Sequence, residues 1–150
     1  YKYFVMKKII ILFVFVLGVG SAKAQDLSLK EKIKILTENN WRLIRLEDQN
    51  GKMYSLPDDL RNKTLVLNPH NKTAFFYLPN SNEEVYIYDG YKITDDKIFI
   101  GKDFVLQYKL DNLIGVKIRI WDPDYEADWV WMDIPKETDA AYLKSINYIK

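Results

Sequence analysis

The sequence predicts an all-β protein, an antiparallel up-and-down β-barrel of about eight strands with one or two short helices. Three observations carry this. Between residues 41 and 134 short apolar runs repeat with a period of two: WRLIRLE, KTLVLN, TAFFYL, EVYIY, YKIT, KIFIG, DFVLQYKL, LIGVKIRIW and WVWMDI. Turn signals such as DQNG, PHNK, PNSN and DG stand between them. No helical stretch long enough for a parallel crossover intervenes, so neighbouring strands run antiparallel. That many strands in one flat sheet would leave exposed edges, and closure into a barrel removes them.

The first element precedes the barrel. MKKIIILFVFVLGVGSAKAQ opens at Met6 with two lysines, continues in an apolar run over residues 9–19, and closes on Ala22-Lys23-Ala24. That is the plan of a secretory signal peptide over residues 6–24, with cleavage before Gln25. The apolar run falls short of the roughly 20 residues that span a bilayer, so no stable membrane anchor is expected after cleavage. A periplasmic or extracellular location follows. Residues 25–150 then form one domain, large enough to bury about two thirds of its unfolded surface.

Charge narrows the partners. The 22 basic and 21 acidic residues become 18 and 21 once the four lysines of residues 1–24 are removed. The exported chain is mildly acidic and offers no basic surface for nucleic acid. There is no cysteine, so stability must come from the core.

After Gln25, Leu29, Ile33 and Leu36 recur at helical spacing, and Ser28 with Glu31 has the Ser-x-x-Glu form of a capping box. A short helix over residues 27–38 is expected. Along the later strands, Phe104, Leu106, Tyr108 and Leu110 share one face, as do Ile114, Val116, Ile118 and Ile120, while Lys109, Lys117 and Arg119 take the other. Asp89-Gly90 and Asp111-Asn112 have the residue types that close two-residue hairpins. After Pro135, residues 140–149 read as a second short helix covering one end of the barrel.

At Asn39-Asn40-Trp41, and in YKITDDKIFI and FVLQYKLDNLIGVKI, the chain resembles the small secreted lipocalin-like domains of bacteria over residues 27–134. Asn39 stands where that family has a glycine. The resemblance implies a barrel with a possible pocket. It also implies that Trp41 plugs the closed end and stacks with a basic residue of a late strand, Arg119 or Lys117. It implies no activity.

Nothing in the chain assembles a familiar catalytic motif. His70, the single histidine, lies in the turn PHNK, where solvation is the ordinary reading and general-base work the alternative. No catalytic residue, metal ligand or cofactor is expected. The segment WDPDYEADWVWMD, residues 121–133, places five acids and three tryptophans in thirteen positions. It lacks the central glycine and the twelfth-position glutamate of an EF-hand, and reads as a solvated turn, with a weak Ca²⁺ site or a partner-facing surface as alternatives. Trp129 and Trp131 share one side of their strand. That side is either the barrel interior or an exposed contact patch.

Two function classes follow. One is a carrier holding a small apolar or amphipathic ligand in the barrel, with Tyr108, Trp129, Trp131 and Tyr77 as ligand-binding residues. The other is a protein-binding module, of the inhibitor or immunity type, that uses an exposed aromatic strand. Tyr86 and Tyr88 fit either cross-strand packing or ligand contact.

Overall fold

A computed structural model describes residues 27–102, 104–111 and 115–146. The expected signal peptide and the cleavage point before Gln25 lie outside these residues. Helix α1 (Leu29–Glu38) starts as the sequence dictates: Glu31 N–H donates to Ser28 Oγ at 3.2 Å, and Ser28 N–H donates to the Glu31 carboxylate at 3.0 Å. Asn39 ends the helix in an extended conformation, so the left-handed backbone that its side chain tolerates is not used.

The strands are β1 (Asn40–Asp48), β2 (Met53–Tyr54), β3 (Thr64–Leu67), β4 (Thr73–Tyr77), β5 (Ile87–Asp89), β6 (Tyr91–Ile93), β7 (Lys97–Ile100), β8 (Phe104–Asp111), β9 (Lys117–Asp122) and β10 (Ala127–Ile134). All pairings among them are antiparallel, in the order β5-β4-β3-β1-β10-β9-β8-β7-β6, with the short β2 attached to β1. The result is a nearly closed barrel.

Closure happens at Gly90. Asp89-Gly90 does not turn a hairpin, because β5 pairs with β4 and β6 pairs with β7. The segment is one kinked strand that changes partners halfway. Gly90 N–H donates to the Lys72 carbonyl at 2.9 Å, and Gly101 N–H donates to the Gly90 carbonyl at 3.0 Å, so this residue is bonded on both sides. Its φ of +93° is a conformation that glycine adopts without a Cβ penalty. Beside it β5 and β8 form no ladder, which leaves a seam in the wall.

Alternation fixes what points inward. Trp41 and Leu43 of β1, Leu65 and Leu67 of β3, Ile98 and Ile100 of β7, Tyr108 of β8, Ile118 and Ile120 of β9, and Trp131 of β10 make one buried cluster. In β1 a bulge between Leu43 and Arg45 inserts one residue, and this keeps Leu46 aligned with Trp129 while Arg45 and Glu47 stay outside. Helix α1 covers Trp41: the indole Nε1–H donates to the Leu36 carbonyl at 3.0 Å, and Ile33 and Ile35 pack on the same cluster. Leu56 and Leu60, from the segment between β2 and β3, join it.

A second, smaller cluster lies outside the barrel wall. Val66, Phe75 and Tyr77 face outward and are covered by Leu143 of helix α2 (Ala140–Ser145). The Asp139 carboxylate, just ahead of that helix, accepts hydrogen bonds from Arg42 and from Tyr77 Oη, and Tyr142 stacks on Tyr77 with centroids 5.5 Å apart. The expected second helix is therefore present but short, and residues 147–150 lie outside the described part.

Candidate functional site

Inside the barrel there is little room near Tyr108. This residue is 2% exposed, and its Oη donates to the Thr94 carbonyl at 2.7 Å. Burial, with the charges of Asp95 and Asp96, pushes its hydroxyl up to about 12. Neither the cleft beside Tyr86 and Phe104 nor the one beside Trp121 is lined by Tyr108 or Trp131.

The other expected ligand residues are dispersed. Trp131 is an interior residue at 6% exposure, and its Nε1–H has no hydrogen-bond partner among the described residues. Trp129 is half-buried against the same core, donates to Asp122 Oδ2 at 2.8 Å and meets Tyr125 edge-on. Tyr77 faces the opposite way, under α2, where burial and the Asp139 carboxylate push its hydroxyl up to about 12. The tryptophan pair of β10 is thus not an outward aromatic patch, because the even positions Val130 and Met132 take the outer face.

Arg119 is also on the outer face, since its neighbours Ile118 and Ile120 point inward. Its guanidinium pairs with Glu47 at 3.3 Å, Asp111 at 3.5 Å and Asp128 at 4.0 Å. Neither it nor Lys117, which shares that outer face, is on the side of the sheet where Trp41 lies, and the polar contact that Trp41 does make is its N–H bond to the Leu36 carbonyl of α1. In the acidic run, Asp122 Oδ1 accepts the Asp124 N–H at 2.9 Å, so one of its acids serves the turn itself. No group of three or more metal-ligating side chains comes together among the described residues. His70 sits exposed in its turn, with its backbone N–H on Asn68 Oδ1.

What strand spacing does not reveal is a line of rings across the seam. Tyr86 and Tyr88 meet edge-on at 4.5 Å, and Tyr88 meets Phe104 of β8 at 5.3 Å and 87°. Phe104 neighbours Phe76 of β4 at 6.5 Å, and Phe76 neighbours Trp131 at 6.0 Å. The line runs from Tyr86, 68% exposed, to the buried Trp131. Gly101 permits it, because a Cβ there would stand 3.0 Å from Tyr88 Cδ1. These rings come from β4, β8, β10, β5 and the segment entering it, so only the closed barrel assembles them.

Beside the rings is an open groove of about 260 Å³, walled by Phe76, Tyr86, Tyr88, Phe104 and Val85, with Tyr142 of α2 at one side. Lys63 Nζ lies 5.4 Å from the Phe76 ring centre, and Glu83 and Glu84 stand at the rim. An apolar floor with both charge signs at its edge suits an amphipathic molecule whose polar end stays in water.

No protein-family model and no curated protein matches this chain. An NMR structure of a protein from Burkholderia xenovorans is similar over 67% of this chain and 85% of its own, at 11% identity and a TM-score of 0.46. That likeness carries no argument about function.

Proposed function

We propose that this chain is an exported, lipocalin-like binding protein, and that it holds a small apolar or amphipathic molecule at the seam groove rather than deep in the barrel. One observation carries the reading: the continuous run of rings from Tyr86 through Tyr88, Phe104 and Phe76 to Trp131. Exposed rings at an opening are costly to leave in water, and a ligand that covers them recovers the burial free energy, about 25 cal/mol per Å² of apolar surface. The signal sequence read over residues 6–24 supports a periplasmic or extracellular place of work. The activity is binding, with no bond made or broken.

A second reading is a protein partner that inserts an apolar side chain between the rings. The exposure of the rings themselves, 68% for Tyr86 and 41% for Phe104, favours it.

The test is a titration of residues 25–150 with fatty acids, retinoid-like probes and an environment-sensitive dye, followed by tryptophan fluorescence. Saturable binding that Tyr86→Ala and Phe104→Ala weaken about tenfold each, and Tyr108→Phe leaves unchanged, is expected for the seam. Binding lost in Tyr108→Phe alone returns the ligand to the barrel interior. No binding of any probe removes the small-molecule reading.

A further inference from the structure

Trp121 differs from the other three tryptophans. Trp41 and Trp131 belong to the interior cluster and Trp129 packs against it, whereas Trp121 belongs to neither cluster. It is half-buried on the outer face of β9, opposite Asp128 of β10. A tryptophan on a sheet's wet face is expensive unless something covers its ring, because it presents a large apolar surface to water.

Its surroundings are polar and held in place. Gln49, Gln107, Lys109, Arg119 and Asp128 line, with Trp121, an outer cleft of about 430 Å³, inside the range of small-molecule sites. Arg119 is fixed from three sides by Glu47, Asp111 and Asp128, and Arg45 Nε adds a further bond to Glu47 at 3.0 Å. Burial raises the Glu47 carboxyl, but Arg45 and Arg119 outweigh it and hold that carboxyl below its ordinary range. The lining carries two cations, Lys109 and Arg119, and one carboxylate, Asp128, and Arg119 is further offset by Glu47 and Asp111. A balanced rim gives no reason for a strongly charged ligand.

We propose that this outer cleft is a second binding site, and that it takes a neutral saccharide. A pyranose ring has an apolar C–H face that lies flat on an indole, and its hydroxyls both donate and accept at the edge. Trp121 supplies the platform. The amides of Gln49 and Gln107 supply donors and acceptors, Asp128 accepts, and Lys109 donates. This site is separate from the seam groove: the two share no lining residue.

Calorimetric titration of residues 25–150 with cellohexaose, chitohexaose and mannohexaose, each into the millimolar range, tests it. Saturable binding of at least one is expected, abolished by Trp121→Ala and weakened about fivefold by Gln107→Ala, one lost hydrogen bond. Gln107 is exposed, so its variant folds whatever becomes of the tryptophan one. Tyr86→Ala should bind the sugar as the parent does, which separates this site from the seam. No heat with any of the three overturns the proposal, as does binding that survives Trp121→Ala, or binding of inorganic phosphate in place of sugar.

Discussion

Trp41 and Trp131 are both interior indoles, and they differ in what the Nε1–H does. That of Trp41 is spent on the Leu36 carbonyl beneath α1. That of Trp131 has no partner among the described residues, and its ring leads through Phe76 to the seam groove. The helix-covered side of the barrel spends its indole N–H, although Asn40 Oδ1 beside it is, like the Trp131 N–H, buried without a partner among the described residues. What sets the seam side apart is its exposed rings, Tyr86 and Phe104, the feature on which the proposed binding site rests.

Removing each tryptophan sharpens that contrast. Trp41→Ala should cost about 3–5 kcal/mol, since it empties a fully buried site in the core and removes the bond to α1; urea unfolding measures it. The conservative pair is more telling. Trp41→Phe leaves the Leu36 carbonyl without its donor and should cost about 1–3 kcal/mol more than Trp131→Phe, which removes a hydrogen that bonds to nothing described. Equal costs would break the comparison.

Much of the helix-covered side was legible in the chain. The capping box, the inward set of Tyr108, Ile118 and Ile120, and the helix ahead of Trp41 all follow from local patterns that a single segment carries. The seam was not, for three physical reasons. In β4, Ala74 and Phe76 face in while Phe75 and Tyr77 face out, and with apolar residues on both faces only the presence of α2 decides which side is wet. Asp89-Gly90 has hairpin chemistry, yet closure of the barrel uses the same flexibility to change strand partners. And the rings from Tyr86 to Trp131 are brought together by pairings between distant segments, which have no signature in spacing.

The outer cover of the seam side gives a further test. Asp139→Asn keeps a side chain that tolerates the residue's left-handed backbone but removes the charge that Arg42 and Tyr77 address. A loss of about 1–2 kcal/mol is expected, with faster proteolysis of the segment that carries α2. Retained protection would show that Leu143 and Tyr142 hold the helix by packing alone.

Alkaline titration touches both sides weakly. Tyr77 and Tyr108 have hydroxyls raised from 10 to about 12, so the folded chain keeps their protons where the unfolded chain loses them. Their contribution is complete below pH 10 and declines as pH rises through 12. Stability should therefore fall across that window, less steeply in Tyr77→Phe and in Tyr108→Phe. A flat profile would contradict the burial of both hydroxyls.

The most direct measurement follows the indole N–H resonances of residues 25–150 in a proton–nitrogen correlation spectrum while a probe that binds in the fluorescence titration is added. The Trp131 signal is expected to move with saturation and the Trp41 signal to stay, because a molecule bound at the seam would cover rings that lead to one and not to the other. Movement of Trp41 with Trp131 unchanged would contradict it.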